Sequence, residues 1–242
     1  MSEVLTSKRA LVTGASKGIG FAIARALLNA GADVVICGRD PNHLNSAVAE
    51  LKKAAPKRKI AGHAADVSKS SEVAELFRFV DRELGGLDIL INNAGFGIFR
   101  ATAELSVDDW DRLIGTNLSG AFYCSREALE RFPQSKGGWI INMSSLAGKN
   151  PFAGGAAYNA SKFGLNGFSE AMMMDHRYDN VRVSYIMPGS VDTAFAGSHA
   201  SKRSDWMIAP EDIGEIVLNI LKMPERTLIS RVEVRPSRPQ KD

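Results

Sequence analysis

Cysteine, aromatic residues and long apolar runs are all scarce in this chain of 242 residues. Its two cysteines, Cys37 and Cys124, each lie inside an apolar run. They are too few for a disulfide framework or a CxxC zinc site, so neither disulfides nor a metal is expected, and a reducing cytoplasm fits best. No stretch approaches the roughly 18 consecutive apolar residues of a membrane span, and the opening MSEVLTSKRALVTG lacks the apolar core of a signal peptide. The expectation is a soluble intracellular protein with no membrane partner. An excess of one charge is missing too: 30 Lys and Arg face 27 Asp and Glu, a net +3 with the signs mixed along the chain. Without an extended basic face, no nucleic-acid partner is expected. What remains, 45% hydrophobic and 24% charged residues, is the make-up of a globular protein. One domain spanning 1–242 accommodates this length, because single α/β domains often reach it.

Between Arg9 and Val191 short β-branched runs alternate with longer segments of helical period, the pattern of an α/β fold with a parallel sheet covered on both faces. Strands are expected at 10–13, 33–37, 60–64, 87–92, 139–143 and 181–187. Most of these runs are too apolar for a sheet with one wet face. Helices are expected at 19–29, 41–54, 71–84, 107–131 and 158–178. Asp40 followed by Pro41 is a helix-start signal, and Ser106 with Asp109 three residues on resembles a capping box. After Val191 the rhythm breaks. A polar stretch over 192–209 reads as a substrate lid, Pro210 opens a helix through Leu221, and 228–234 alternates like an edge strand. The Pro-rich, charged tail 236–242 is expected to fray.

Three motifs carry chemistry. The first strand runs into Thr13-Gly14-Ala15-Ser16-Lys17-Gly18-Ile19-Gly20 and then a helix. A turn of this kind aims free backbone N–H groups and a helix dipole at one point, and glycines let a pyrophosphate approach closely. The spacing is G-x3-G-x-G, not G-x-G-x-x-G; tight strand-to-helix packing is the bland alternative. The second motif, Asn92-Asn93-Ala94-Gly95, follows the fourth strand at its carboxyl end, where ligands of such sheets bind. Taken alone it reads as an ordinary Asn-Gly turn. The third, Tyr158-Asn159-Ala160-Ser161-Lys162, sets a phenol and an ammonium at i and i+4 on one helix face. A free phenol, pKa about 10, is a poor acid-base group at neutral pH. A nearby Lys⁺ would favour the phenolate. Ser145 lies thirteen residues upstream at the end of a buried strand.

With the glycine turn, NNAG, Ser145 and YxxxK in this order, the sequence resembles the classical short-chain dehydrogenase/reductase family over residues 9–193, some three quarters of the chain. The resemblance implies a seven-stranded, doubly wound, Rossmann-type sheet that binds NAD(H) or NADP(H). It implies Tyr158 as general acid/base, Ser145 as the hydroxyl orienting the substrate carbonyl, and Lys162 as the group that binds the nicotinamide ribose and lowers the tyrosine pKa. Asn117, in Gly115-Thr116-Asn117-Leu118, matches the asparagine that supports a proton-relay water. Asp66 and Val67 match the adenine contacts, Asn93 with Ala94 and Gly95 the ribose side, and Pro188, Gly189, Val191 and Thr193 the loop that holds the nicotinamide amide. Gly14, Ser16, Lys17, Gly18, Ile19 and Gly20 would bind the pyrophosphate. Ser144 rivals Ser145, but its distance to Tyr158 is one residue too long for the family pattern. A homo-oligomer is also implied, a homotetramer built from dimers or a homodimer.

NADP(H) is expected over NAD(H). The second strand ends in Gly38-Arg39-Asp40, with glycine where the family's acid usually falls. No carboxylate there would repel a 2′-phosphate. Arg39 and Lys17 supply cations suited to it, and Asp40 is read as a helix cap. The function that follows is an NADP(H)-dependent oxidoreductase moving hydride between the nicotinamide and a carbonyl or secondary alcohol of a small, partly apolar substrate. The ending Ser230-Arg231-Val232-Glu233-Val234-Arg235-Pro236 resembles carbonyl-reductase and sepiapterin-reductase-like branches more than 3-oxoacyl-carrier-protein reductases, the alternative. A non-catalytic dinucleotide sensor would not need tyrosine, lysine, serine and asparagine together. A nucleotide-sugar epimerase needs a larger C-terminal domain. Phe96, Phe152, Phe195, Trp206 and Met207 either line an apolar pocket or pack the lid onto the body. His199, Lys202 and Arg203 either read an acidic handle or form a solvated face.

Overall fold

The computed structural model describes residues 4–133, 137–193, 195 and 205–239. Seven strands, β1 (Arg9–Val12), β2 (Asp33–Gly38), β3 (Ile60–Ala64), β4 (Ile89–Asn92), β5 (Gly138–Met143), β6 (Val181–Pro188) and β7 (Arg231–Val234), form one sheet in the order β3-β2-β1-β4-β5-β6-β7. All pairings are parallel. The helices are α1 (Gly18–Asn29), α2 (Pro41–Ala54), α3 (Ser70–Leu84), α4 (Val107–Ile114), α5 (Gly120–Leu129), α6 (Ala156–His176) and α7 (Pro210–Leu221).

The apolar strands explain the layering. Along β2, Val34 and Ile36 face one core with Ile23, Leu27, Leu51 and Val217. Val35 and Cys37 face the other, with Leu76, Phe77, Cys124 and Met172. Alternate residues of a strand point to opposite faces, so a run apolar at every position needs helices on both sides. Sequence order reverses between β1 and β4, and the crevice at their carboxyl ends is the topological switch point.

Expected and observed elements differ in informative places. The helix expected over 107–131 is divided by a π turn, Gly115–Ser119, in which the Gly120 N–H reaches back to the Gly115 carbonyl. Apolar periodicity continues through such a turn, so the sequence pattern hides it. The Ser106 hydroxyl caps the Asp109 N–H, but Asp109 spends its carboxylate on Arg112 instead of closing a capping box. The edge strand is only Arg231–Val234, shorter than 228–234. Pro236, at the start of the tail expected to fray, lies against Gly189, while 240–242 lie outside the described residues. Among the described residues no helix is long and apolar enough to cross a membrane, and no group of His, Cys, Asp and Glu is arranged to hold a metal ion. Cys37 and Cys124 are free and buried. Burial pushes the Cys37 thiol up to about 12 and the Cys124 thiol well above its usual range.

Candidate active site

The glycine turn leaves β1 at the switch point. Gly14 and Gly18 have φ of 63° and 60°, the left-handed region that favours glycine. A Cβ on Gly14 would lie 2.6 Å from Ala94 Cα, and one on Gly18 would lie 3.3 Å from Thr193 Cγ2. The turn is therefore wedged between the NNAG segment and the segment after β6. Lys17 precedes α1 without a side-chain cap, so its N–H donors open toward this cradle. An uncapped helix start in a backbone cradle too tight for side chains fits a dinucleotide pyrophosphate.

NNAG is not the simple Asn-Gly turn that its sequence suggests. Asn93 Nδ2 donates to the carbonyls of Thr13 and Gly14, both at 2.9 Å, and Thr13 Oγ1 accepts from the Asn93 and Ala94 N–H groups. Asn93, expected on the ribose side, thus spends its amide bracing the glycine turn. Asn92 points inward, donating to Asn142 Oδ1 and Ser125 Oγ, and its own Oδ1 is buried without a hydrogen-bond partner.

Around the crevice the remaining groups come from distant segments. Asp66 accepts from the N–H and hydroxyl of Ser68. Burial works against its charge, but those bonds together with Arg39 and Lys69 hold its pKa below the usual value. Arg39 is exposed near that carboxylate, its guanidinium 5.8 Å from the centroid of Phe96. Asp40 accepts from the N–H groups of Asn42 and His43, the helix cap the sequence suggests. A Cβ on Gly38 would lie 3.3 Å from Ser16 Oγ, so the serine hydroxyl fills the space beside that strand end.

Ser145, Tyr158, Lys162 and Asn117 converge. Tyr158 lies beside Ser145, which favours its phenolate, and Ser145 Oγ accepts from the Ala147 N–H. Ser144 instead donates to Asn166, which separates the two serines by role. Lys162 donates from Nζ to the Met143 carbonyl at 2.8 Å and lies 3.7 Å from where a Gly95 Cβ would be. Its ammonium is 5.8 Å from the Tyr158 ring centroid. Burial lowers the Lys162 pKa to about 8. Burial raises the Tyr158 phenol, with Ser145 acting in the opposite sense. The expected lowering of the tyrosine by Lys162 therefore does not govern this site, because desolvation of a buried phenol outweighs a lysine pointed at a carbonyl. Asn117, in the π turn, exchanges two bonds with the Phe96 backbone and donates to Ser161. Both ends of its side chain are engaged, so the side chain fixes the loop that follows β4.

Pro188 ends β6 and its carbonyl lies 3.5 Å from Ser145 Oγ. Gly189 donates to Val234. Val191 bridges Ile208, so the chain from 192 to 207 leaves and returns at one place. Much of the expected lid, including Gly197, His199, Lys202 and Arg203, lies outside the described residues. Of the candidate pocket residues, Phe152 and Phe195 do reach the tyrosine cluster, whereas Phe96 packs beside Arg39 and Arg112. Trp206 and Met207 are half-buried. Phe99, which sequence reasoning missed, stands edge-on to Tyr158 at 5.6 Å. The one available signal was Gly97, two residues before it.

A profile of the family described as short chain dehydrogenase matches residues 8–204. An uncharacterized oxidoreductase of Staphylococcus aureus strain MRSA252 is 34% identical over 96% of this chain and 99% of its own length. Among solved structures, an alcohol dehydrogenase of the archaeon Thermococcus sibiricus complexed with 5-hydroxy-NADP superposes with a TM-score of 0.89 at 30% identity, covering 97% of this chain and 99% of that one. A metagenomic short-chain oxidoreductase in complex with NADP gives 0.85 at 37% identity, covering 98% of this chain and 100% of that one.

Proposed function

This chain belongs to the short-chain dehydrogenase family, and from that premise we propose that it is an NADP(H)-dependent oxidoreductase acting on a carbonyl or secondary alcohol. The observation that carries the reading is the convergence of Ser145, the buried Tyr158 and the buried Lys162 ammonium, 5.8 Å from the phenol ring centroid, beside the segment that braces the glycine turn. Gly14, Ser16, Lys17, Gly18, Ile19 and Gly20 would hold the pyrophosphate, Asp66 and Val67 the adenine. Ala94, Gly95, Lys162, Pro188, Gly189, Val191 and Thr193 would hold the ribose and nicotinamide end, with Asn93 bracing the glycine turn beside them. When bound, the reduced nicotinamide supplies a hydride. Ser145 orients the carbonyl oxygen, and Tyr158 donates its proton there as negative charge develops. Lys162 adds positive charge below the phenol, and Asn117 fixes the Phe96 backbone beside it.

The preference for NADP(H) draws on Gly38, which removes the repelling acid, on Asp40 being occupied by its helix, and on exposed Arg39 and Lys17. Solved relatives bound to NADP derivatives lend it weight. We further read 1–242 as one catalytic domain whose segment 192–209 covers the substrate, and the cytoplasm as its location. Exposed Phe122 and Phe163 on neighbouring helices favour a homodimer or homotetramer; sedimentation as a 26.1 kDa monomer at micromolar concentration would remove that part. The decisive experiment follows NADPH absorbance against ketones, aldehydes, diketones, β-ketoacyl thioesters and pterins. Turnover of small carbonyls is expected. Turnover of β-ketoacyl thioesters alone would shift the reading to 3-oxoacyl-carrier-protein reduction, and none at all to a dinucleotide sensor.

A further inference from the structure

Three phenylalanines that are far apart in sequence form a run of ring contacts at Tyr158. Phe99 meets Tyr158 edge-on, with centroids 5.6 Å apart and planes at 86°. Phe195 lies 5.8 Å from Tyr158, and Phe152 packs edge-on against Phe99 at 5.6 Å. Unlike the tyrosine, at 8% exposure, Phe99 and Phe152 are 46% exposed and Phe195 38%. Apolar rings in that state bury each other only in part, and each keeps an open edge or face.

The backbone is built to hold them. A Cβ on Gly97 would lie 2.8 Å from the Phe99 ring and 3.0 Å from the Phe195 ring. A Cβ on Gly155 would lie 2.7 Å from the Phe152 ring. Two glycines therefore vacate the space that the rings fill. The Phe99 and Phe152 loops are tied together by the Arg100 N–H donating to Gly154 and by the Arg100–Gly155 bridge. Asn159, next to Tyr158 on α6, donates to the Ala147 carbonyl and accepts from the Phe152 N–H. The wall is thus anchored to the same helical turn as the tyrosine. Arg100 and Arg112, cations on the flanking segments, are both directed at Asp109, at 3.9 and 3.2 Å. The surface that the three rings present is itself apolar, which suits an uncharged substrate group.

We propose that Phe99, Phe152 and Phe195 form an aromatic wall that selects an uncharged carbonyl compound bearing a flat aromatic ring next to the reacting carbon. This rests on the hydride-transfer reading above. Edge-to-face and offset contacts with ring centroids about 4.5–7 Å apart favour an arene over a saturated ring of equal size. The reaction balances as one hydride, two electrons with it, passing from reduced nicotinamide to the carbonyl carbon. The C=O π bond breaks, the Tyr158 proton goes to oxygen, and solvent reprotonates the phenolate. The ketone is reduced to a secondary alcohol and the nicotinamide is oxidised.

The test compares acetophenone with cyclohexyl methyl ketone, which match in size but differ in the ring. With NADPH, kcat/KM is expected to favour acetophenone by about two- to tenfold, the factor that one aromatic contact contributes. Phe99→Leu should bring the ratio close to one, since leucine retains apolar area and loses the ring. Equal kcat/KM for the two ketones in the wild-type protein, or a ratio that survives Phe99→Leu, Phe152→Leu and Phe195→Leu, overturns the wall. If no carbonyl compound is turned over, the hydride-transfer reading fails. Saturation-transfer NMR of the two ketones on the NADP⁺-loaded protein then still decides: a preference for acetophenone that Phe99→Leu abolishes supports the wall, and equal binding rejects it.

Discussion

The two sides of the crevice are made in different ways. The side formed by the glycine turn, NNAG and the ends of β1 and β4 is a backbone structure. Its bonds join main-chain atoms or aim Thr13 and Asn93 at them, and a methyl group on Gly14 would collide with Ala94. The side facing Tyr158 is a side-chain structure, with Phe99, Phe152 and Phe195 partly exposed and drawn from three loops. A backbone site tolerates almost no change because it has no rotamers to adjust. Side chains on loops can be exchanged without disturbing the sheet, which suits a surface that sets specificity.

That contrast can be broken or sharpened by substitution. The largest effect is expected where the two sides meet. Tyr158→Phe removes a single proton donor and should lower kcat by about 10²–10⁴-fold, while fluorescence titration shows unchanged NADPH affinity. Near-normal turnover would mean that the convergence of Ser145, Tyr158 and Lys162 is not the reacting centre. On the nucleotide side, Arg39→Ala should raise KM for NADPH by about 10–100-fold, as expected for loss of a hydrogen bond to a charged group, and leave KM for NADH nearly unaltered. A wild type that uses NADH as well as NADPH would remove the role of Arg39.

Smaller effects test the backbone and the buried charge. Gly14→Ala forces a side chain into φ of 63° against Ala94 and should cost about 1–3 kcal/mol of stability, visible as a lower Tm together with weaker nucleotide binding. A Tm and affinity both unchanged would show that the cradle is less tight than its geometry. For carbonyl reduction, kcat/KM reports groups of the free protein. Burial disfavours the Lys162 ammonium and brings its pKa to about 8, whereas Tyr158 is raised and stays protonated well into alkaline pH. The rate should therefore hold below about pH 8 and decline above it as Lys162 loses its charge. Lys162→Arg keeps the charge to higher pH and should move that decline upward; a profile that does not move assigns it to another group.

Much of this molecule was legible before any coordinates, and the reason is locality. The β-branched runs at 60–64 and 33–37 and the Pro41 and Pro210 helices appear where periodicity and capping put them, because those signals act within a few residues. Gly14 and Gly18 were readable as a turn for the same reason, and Asp40 as a cap. The π turn at Gly115–Ser119 was not, since one wider turn leaves the apolar period almost intact.

Harder still were properties that depend on which segments meet. The sequence suggested that Lys162 would lower the Tyr158 pKa, because i and i+4 share a helix face. Folding buried both groups and turned the ammonium toward Met143, so desolvation governs the phenol instead. The separation of Ser145 from Ser144 followed from strand direction, which sends neighbouring side chains to Tyr158 and to Asn166 respectively. Phe99 gave no local signal beyond the glycine two residues before it. Its ring stands beside Tyr158, 59 positions further along the chain, because the loop after β4 is bridged to the loop before α6 through Arg100 and Gly155. Short-range bonding preferences are written in adjacent residues. Burial and long-range neighbours arise only when the chain has closed on itself, and in this protein the electrostatics around Tyr158 and the ring contacts of Phe99, Phe152 and Phe195 belong to that second kind.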